Sequence, residues 1–542
     1  MFGAGGGTSS YREAEETDLV LLWGSNARET HPIFFHHLLK GVRRGARLIA
    51  IDPRRTSSAE WADLWLGLDV GSDIALANAM AREIIHAGLA NDEFIARATS
   101  GFEAYRRNVE PYTLEYAEQT TGVPAEAIRE AAHAYAKADR AMVCWTLGIT
   151  EHHNAVDNVL ALISLALLTG HVGKYGSGIN PLRGQNNVQG GGDMGALPDR
   201  LPGFQHLEQD HLRAPCEAAW GVRIPPKRGL HLSDMFEAMD RGDLTALYVI
   251  GENPMQSEAD RHQTARRLMG LEFIVVQDIF RTATADIADV VLPAAAAWAE
   301  TEGTVTNSER RVQRVRRALI PPGEARDDLA IIFELARRLG HDWGEPSAEA
   351  VWNEVRRLSP VHAGMSYARL EAEGGLQWPC YDETHPGELF LHSRLWEDPV
   401  PGSRAPFVPV QHDPPVDKLD ADFPIRLTTG RRLDSYNTGV QSGALRYPRR
   451  DGETIDLCPE DVARLGLVPG EVVRVVSRRG SVVVPVRVDR SLRPDLEFMT
   501  LHFPDDVMTN NLTIDATDPK SGTAEFKATA IRIEKLGIGV TA

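Results

Sequence analysis

The residues best suited to chemistry lie in one polar, glycine-rich segment, residues 176–195. The segment contains seven glycines, five side-chain amides and a single arginine, Arg183. Glycines let a ligand approach the backbone, and amides offer donors and acceptors to a heterocycle. The Arg183 guanidinium suits a small carboxylate or phosphate. Because the segment has no hydrophobic periodicity, we expect a loop ordered by ligand contact, with a mobile surface loop as the alternative.

Three other polar stretches could line a ligand, but each has a plain structural alternative. We expect the adjacent His152 and His153 to point to different sides of the chain and to pack rather than bind one metal. Residues 300–311 and 510–527 are rich in polar side chains and could equally be solvated loops. The sequence has neither a GxSxG motif nor a P-loop, so serine-hydrolase and P-loop nucleotide chemistry have no support.

Two stretches with the pattern of a parallel sheet must position these residues. The first consists of strand 18–23, turn 24–26, helix 32–43 and strand 47–51. The second consists of strand 247–250, turn 251–254, helix 259–269 and strand 273–276. Short apolar runs separated by a glycine turn and a helix are typical of βαβ units.

The two units have nearly the same length. Asn26 and Asp52 are 26 residues apart, and Asn253 and Asp278 are 25 residues apart. Both aspartates stand where a nucleotide-binding unit places its ribose-binding carboxylate. The repeat therefore predicts two related α/β lobes, each able to hold one nucleotide-like group, with two purely structural crossovers as the alternative.

The end of the chain has a different composition. A stretch rich in proline and aspartate precedes short strands separated by turns such as Pro469-Gly470, which fits a compact β-barrel. We place the first lobe at 1–185, the second lobe at 186–400, the linker at 401–420 and the barrel at 421–542.

Composition excludes several classes of function. The 542 residues are 43% apolar and 25% charged, which is typical of a globular protein of several domains. The net charge of −18 argues against nucleic acid as a partner. No apolar run is long enough to span a bilayer. The four cysteines have neither zinc nor iron–sulfur spacing, and they favour a reducing compartment, so we expect a cytoplasmic protein.

Taken together, the motifs resemble the molybdopterin oxidoreductases along nearly the whole chain. The run Arg-Gly-Gln-Asn-Asn-Val-Gln-Gly that begins at Arg183 is similar to the one in formate dehydrogenase large subunits. The other motifs are Gly24-Ser-Asn26, Asp52-Pro-Arg54, Gly251-Glu-Asn-Pro254, Gln277-Asp278, residues 299–307, Leu427-Thr-Thr-Gly430 and Glu525-Phe-Lys527.

The resemblance implies a bis(molybdopterin guanine dinucleotide) cofactor, with molybdenum or tungsten, in a cleft between two doubly wound α/β lobes and a double-psi barrel. One dinucleotide would be held by Gly24, Asn26, Asp52 and Arg54, and the other by Gly251, Asn253, Gln277, Asp278 and Thr282. The pterins would be covered by Thr429, Gly430, Asn511, Phe526 and Lys527. Further implied contacts, not assigned to either arm, are Ser25, Glu29, Pro53, Gly71, Asp73, Gly148, Gly184 and Glu302.

The implied reaction is the two-electron oxidation of formate to carbon dioxide. Arg183 would orient formate, Gln185 would lie nearby, and separate subunits would accept the electrons. A non-catalytic cofactor-binding homologue is one alternative, and an oxidoreductase for another oxyanion such as nitrate is a second.

The sequence also departs from the family pattern. Family members normally begin with an iron–sulfur segment, followed by a cysteine or selenocysteine that binds the metal. Residues 1–18 resemble the stretch just after that ligand, so we expect the [4Fe–4S] cluster and the metal ligand in a preceding segment, and little formate oxidation by this chain alone. Glu151 replaces a more typical amide, and residues 436–439 replace a more typical His-Thr-Gly.

Overall fold

The computed structural model describes residues 2–433, 435–439 and 452–536. It contains an α/β lobe with a five-stranded sheet, a second lobe with a three-stranded parallel sheet, and a closed barrel of six strands. The predicted fold class is therefore confirmed. Residues 434, 440–451 and 537–542, which belong to the predicted barrel region, lie outside the described residues.

The first lobe is built on a parallel sheet. In spatial order its strands are Leu64–Leu66, Arg47–Ile51, Leu19–Trp23, Ala141–Trp145 and Gly178–Pro181. The central strand is apolar and fully buried, because helices cover both faces of the sheet. The strand predicted at 47–51 and the helix predicted at 32–43 have the predicted bounds.

Helices of the first lobe pack on both sides of this sheet. They are Ala27–Thr30, Pro32–Arg43, Asp73–His86, Asp92–Ala98, Phe102–Val109, Leu114–Thr121, Ala125–Lys137, Leu147–Thr150 and Ala155–Thr169. Pro32–Arg43 packs on one face, and Asp73–His86, Ala125–Lys137 and Ala155–Thr169 pack on the other. The short 3-10 helices Arg12–Glu15 and Ala59–Trp61 complete the lobe.

The second lobe contains the repeated unit. Its parallel strands, in spatial order, are Val290–Pro293, Phe273–Asp278 and Ala246–Ile250. An antiparallel sheet follows, with strands Gly303–Thr306, Arg311–Val315 and Leu376–Gln377. The helices are Val188–Asp193, Asp210–Trp220, Leu232–Arg241, Pro254–Ser257, Arg261–Met269, Asp328–Arg338, Ala348–Leu358 and Tyr367–Ala372, with 3-10 turns at Ala285–Ile287, Pro360–His362 and Ser393–Trp396. Two-stranded pairs join Arg200–Leu201 to Gln205–His206 and Thr99–Ser100 to Ala405–Pro406.

The barrel closes through strands that are not consecutive in the chain. Their spatial order is Ile425–Gly430, Leu496–Thr500, Ile455–Leu457, Ser481–Val488, Val472–Ser477 and Thr529–Lys535. Its helix is Pro459–Arg464, and Thr509–Asn511 forms a 3-10 turn. Buried valines and leucines fill the interior, and burial alternates along Ser481–Val488, where the outward Val483 is 38% exposed. Within the described residues, no helix has both the length and the apolar character that crossing a membrane requires.

The segment 176–195 is not the continuous loop that its composition predicts. Gly178–Pro181 forms an edge strand beside Ala141–Trp145, and Val188–Asp193 forms a short helix. A Cβ at Gly190, inside this helix, would lie 1.9 Å from Oδ1 of Asn187, so any side chain there would displace the Asn187 amide. The prediction fails here because the partners that order the segment are distant in the sequence.

The residues between the second lobe and the barrel pack against the first lobe and the barrel. Phe407 and Val410 are buried in the core of the first lobe. Asp417 forms an ion pair with Arg479 of the barrel at 2.5 Å and accepts a hydrogen bond from the backbone of Ala530. This stretch therefore fixes the barrel against the first lobe.

Candidate functional site

A cavity of about 390 Å³, cavity one, lies where the first lobe meets the barrel. Its floor is formed by the ends of two parallel strands, and its roof by the end of the first barrel strand. Strand ends of parallel sheets are common ligand sites. The predicted site residues that line it are Gly24, Asn26, Glu29, Asp52, Pro53, Arg54, Gly71, Asp73, Gly148, Gly184, Gln185, Thr429, Gly430 and Lys527.

The floor of cavity one depends on two glycines in close contact. Gly24 has a φ of +55°, and a Cβ there would lie 2.8 Å from the carbonyl carbon of Gly148. A Cβ at Gly148 would lie 2.5 Å from the carbonyl oxygen of Gly24. Any side chain at either position would force the two turns apart.

Polar side chains on the floor are held by short local hydrogen bonds. Oδ1 of Asn26 accepts from the Ser58 hydroxyl at 2.8 Å, and Glu29 accepts from the Ser57 hydroxyl at 2.8 Å. Oδ1 of Asp52 accepts from the backbone of Arg54 at 2.9 Å. Burial raises the pKa of Asp52, and the charge of Arg54 opposes that rise. The floor therefore presents polar groups in fixed positions, as a ribose or a heterocycle requires.

The barrel contributes the opposite wall of cavity one. The Arg54 guanidinium lies over the ring of Phe498, 3.8 Å from its centroid. A Cβ at Gly430 would lie 2.7 Å from the same ring, so glycine leaves room for Phe498 under Arg54. The Thr429 hydroxyl donates to the carbonyl of Phe526 at 2.9 Å. A barrel ring thus positions a cation of the first lobe.

A buried ion pair separates cavity one from a second cavity. Nζ of Lys527 lies 2.8 Å from a carboxylate oxygen of Glu151 and donates to the carbonyl of Thr429 at 2.9 Å. Burial lowers the pKa of Lys527, and Glu151 opposes that effect. Lys527 lines cavity one, whereas Glu151 lines the second cavity.

Cavity two, of about 410 Å³, lies between the second lobe and the barrel. The predicted residues Gln185, Gly251, Asn253, Asp278, Thr282 and Phe526 line it. Oδ1 of Asn253 accepts from the Thr284 hydroxyl at 2.8 Å, which fixes the turn that follows strand Ala246–Ile250. Burial, reinforced by the nearby Glu252, raises the pKa of Glu258 to about 7. The two sequence repeats thus face two separate cavities.

The two cavities adjoin. Gln185, Arg431, Tyr436 and Asn437 line both. Nη1 of Arg431 is buried without a hydrogen-bond partner among the described residues, so it can bind an added acceptor. Cavity one and cavity two therefore adjoin at these residues and together form the two arms of a cleft, and the segment that begins at Arg183 reaches the cleft at this junction.

Arg183 lies beside this junction, although its side chain does not line either cavity. Its Nε donates to Oε1 of Gln189 at 3.1 Å, and its Nη2 donates to the carbonyl of Gly5 at 3.0 Å. Its backbone carbonyl accepts from Nε2 of His31 at 2.7 Å. Its neighbours Leu182 and Gly184 line cavity one. These hydrogen bonds fix the orientation of the Arg183 guanidinium beside the cleft.

Four other predicted residues also lie outside the lining of both cavities. Ser25 is buried. Gln277 belongs to strand Phe273–Asp278, and its side-chain amide donates to Oδ1 of Asp328 at 2.5 Å. Glu302 is exposed, and Asn511 lies at the end of a short 3-10 turn of the barrel. Their assignment as cofactor contacts stays a prediction.

Sequence reasoning missed several residues that line cavity one. Arg431 and Arg432 directly follow the predicted Gly430, so a basic pair at a strand end could have indicated them. His152, interpreted as a packing residue, also lines cavity one. The expectation that His152 and His153 diverge is wrong, because both rings face Glu525. Among the described residues, no group of three or more histidine, cysteine or acidic side chains is arranged to hold a metal ion.

A two-armed polar cleft between two α/β lobes and a barrel defines a binding protein for a large nucleotide-containing cofactor. The profile of the molybdopterin oxidoreductases matches residues 4–338, and that of the molybdopterin dinucleotide binding domain matches residues 425–530. The chain belongs to the molybdopterin oxidoreductase family. It is a formate dehydrogenase-like oxidoreductase with a molybdopterin cofactor.

Named relatives are similar over nearly the whole chain. The alpha subunit of a formate dehydrogenase from Methanocaldococcus jannaschii is 39% identical over 99% of this chain and 79% of its own length. Formate dehydrogenase H from Escherichia coli is 36% identical over 98% of this chain and 75% of its length. An assimilatory nitrate reductase catalytic subunit from Bacillus subtilis is 34% identical over 98% of this chain and 76% of its own length.

A solved structure shares the fold. Acetylene hydratase from Pelobacter acetylenicus superposes with a TM-score of 0.72 over 98% of this chain and 79% of its own, at 23% sequence identity. At that identity the likeness concerns the arrangement of lobes and barrel and not the reaction.

The residues of the cleft fit a molybdopterin dinucleotide. Arg54, Arg431 and Lys527 line cavity one and provide cations for phosphate groups. The hydroxyl of Ser435, like Nη1 of Arg431, is buried without a hydrogen-bond partner among the described residues. Buried polar atoms of this kind are normally satisfied, so a bound polar ligand accounts for them.

Proposed function

We propose that this protein oxidises formate to carbon dioxide at a bis(molybdopterin guanine dinucleotide) centre that holds molybdenum or tungsten. The junction of the two cavities at Gln185 and Arg431 carries the proposal, because a cofactor with two arms needs two adjoining sites. The two cavities have similar volumes, about 390 and 410 Å³, so each would hold one arm of the cofactor. Arg183, two residues from Gln185, provides the cation that formate requires.

The proposed cofactor contacts follow the two cavities. Gly24, Asn26, Glu29, Asp52, Pro53, Arg54, Gly71, Asp73, Gly148 and Gly184 would hold the first arm. Gly251, Asn253, Asp278 and Thr282 would hold the second arm, with Gln277 supporting the strand end. Thr429, Gly430, Phe526 and Lys527 would cover the pterins from the barrel.

Arg183 would bind and orient the substrate. Formate is a small carboxylate, and a planar guanidinium can pair with both of its oxygens. Gln189 and the Gly5 carbonyl hold the Arg183 side chain, so less entropy is lost on binding. When bound, the cofactor supplies the redox chemistry. The overall reaction converts one formate into carbon dioxide, one proton and two electrons, and we propose that a partner subunit accepts the electrons.

Cofactor content and substrate choice test this proposal separately. We would purify the natural protein together with the subunits that copurify with it, and measure the guanine nucleotide released by acid. A bis-dinucleotide cofactor should give about two guanine nucleotides per chain, and a single one about one. Formate-dependent reduction of a dye should be observed and should depend on Arg183. Robust nitrate reduction with no formate oxidation would refute the proposal.

Reduction of nitrate is the second candidate function. It is favoured by the similarity to the nitrate reductase subunit of Bacillus subtilis, which covers nearly the whole chain. Nitrate is also a small planar oxyanion, so an arginine beside the cleft would suit it equally. A purely structural role is disfavoured by the cations Arg54, Arg431 and Lys527, which a protein that binds no cofactor would not need at one cleft.

A further inference from the structure

Beside the cofactor cleft lies a cluster of His152, Glu525 and His153, the histidine–glutamate cluster. The Glu525 side chain is fully buried between the two rings. Its Oε1 lies 3.6 Å from Nδ1 of His152, and its Oε2 lies 3.1 Å from Nδ1 of His153. On the far sides, Nε2 of His152 is 3.1 Å from the Gly148 carbonyl, and Nε2 of His153 is 3.1 Å from a carboxylate oxygen of Asp413.

These contacts leave the cluster short of protons if both rings are neutral. The two Nε2 atoms hydrogen-bond to oxygens, whereas both Nδ1 atoms and both Glu525 oxygens are buried without a hydrogen-bond partner among the described residues. A neutral imidazole carries one N–H, so a ring that donates from Nε2 presents a lone pair to Glu525 at Nδ1. The buried carboxylate is therefore paired only when the cluster carries a further proton. The cluster can thus hold a proton that two neutral histidines would lack.

Charge supports this interpretation of the distances. Burial opposes ionisation of Glu525, yet the two histidines together lower its pKa to about 2. The Glu525 carboxylate, aided by Asp413, raises the pKa of His153 although burial acts against it. The other charged groups that act on the cluster are Asp73 beside His152, His412 beside His153 and Arg426 beside Glu525.

The cluster connects the cleft with the surface. His152 lines cavity one together with Asp73. Glu525 directly precedes Phe526 and Lys527, which line cavities two and one. At the other end, the side chain of Asp413 is 69% exposed. A proton on the cluster would feel the charge of the cleft and could exchange with solvent at Asp413.

We propose that the histidine–glutamate cluster is a proton site coupled to the redox state of the cofactor. The inference rests on the proposed function. Formate gives carbon dioxide, two electrons and one proton. The electrons remain in the cleft, and one proton is held at the cluster, between Glu525 and the histidine rings. When the electrons leave for the partner subunit, the proton leaves through Glu525, His153 and Asp413 to water.

A redox titration monitored by electron paramagnetic resonance tests the coupling without turnover. If one proton accompanies two electrons, a tenfold change in proton concentration shifts the midpoint potential by about 30 mV. We expect this slope around neutral pH in the wild-type protein and its loss in Glu525→Gln, with partial recovery in Glu525→Asp. His171→Gln removes a buried histidine that lines neither cavity, and it should keep the slope. An unchanged slope in Glu525→Gln would overturn the proposal.

A second measurement needs no cofactor. In protein labelled with nitrogen-15 histidine, nuclear magnetic resonance should show the His153 ring still protonated above the ordinary histidine pKa of 6.5. Asp413→Asn and Glu525→Gln should each lower that pKa. A wild-type His153 that titrates at 6.5 or below would refute the cluster. If the protein does not oxidise formate but its midpoint potential still changes with pH as expected, the proposed function fails and the proton site stands.

Discussion

Glu497, a fully buried carboxyl in the barrel, makes the stability of this domain sensitive to pH. It lies on strand Leu496–Thr500, opposite Leu427 on the strand that leads to Thr429 and Gly430 at the cleft. Both carboxyl oxygens are buried without a hydrogen-bond partner among the described residues. Burial, reinforced by the charge of Asp461, raises the pKa of Glu497 to about 9. The folded barrel therefore keeps this carboxyl protonated at neutral pH.

The magnitude follows from the difference between the folded and unfolded states. The ordinary pKa is 4.5, so above that pH the unfolded chain releases a proton that the folded barrel retains. The free energy of unfolding then falls by about 1.4 kcal/mol per pH unit, until the pH reaches the folded value near 9. At pH 7 the accumulated loss is about 3 kcal/mol. Glu497→Gln has nearly the same shape and cannot ionise, so it should remove this loss.

Hydrogen exchange of the barrel strands is the appropriate assay, because a multidomain chain need not unfold in one step. The opening free energy of Glu497→Gln should exceed that of the wild type by about 1 kcal/mol at pH 5 and about 3 kcal/mol at pH 7. Glu534→Gln, on the outer side of strand Thr529–Lys535, is the matched control and should show a small, constant difference. If the opening free energies of Glu497→Gln and the wild type changed equally with pH, the reasoning would be refuted.

Three further predictions concern the N-terminal residues and the cleft. The buried guanidinium of Arg310 donates to four backbone carbonyls, including that of Gly7, so Arg310→Lys should lower the midpoint of thermal unfolding and expose residues 5–10 to proteases. Glu151→Gln leaves the positive charge of Lys527 in the cleft uncompensated, and roughly tenfold tighter binding of GDP by calorimetry is expected. Arg183→Lys should raise KM for formate roughly 10–100-fold with unchanged cofactor content, because lysine lacks the guanidinium fork. Unchanged values would contradict each prediction.

The parallel strands of the first lobe could be predicted because their signal is local. Leu19–Trp23 and Arg47–Ile51 are covered on both faces, so each appears as an unbroken apolar run between polar turns. The helix Pro32–Arg43 begins at a proline and has a one-sided apolar pattern. Two similar βαβ units predicted two nucleotide-like sites, and the strand ends of the two units line two cavities.

Features that depend on distant partners could not be predicted from local patterns. The segment 176–195 is ordered by pairing with Ala141–Trp145 and by hydrogen bonds to Gly5 and Thr306. His152 and His153 converge only because Glu525, more than 370 residues later, is placed between them. No periodic pattern in the sequence reveals either interaction. Both depend on how the barrel and the N-terminal residues pack against the first lobe.

That docking explains how a chain of net charge −18 can hold an anionic cofactor. The cations of cavity one come from different units: Arg54 belongs to the first lobe, whereas Arg431 and Lys527 belong to the barrel. Arg54 is positioned by the barrel ring of Phe498, and Lys527 is paired with Glu151 of the first lobe. Arg54 and Lys527 are thus each fixed by the opposite unit. A bound dinucleotide would relieve repulsion between these cations, so binding and docking must stabilise each other.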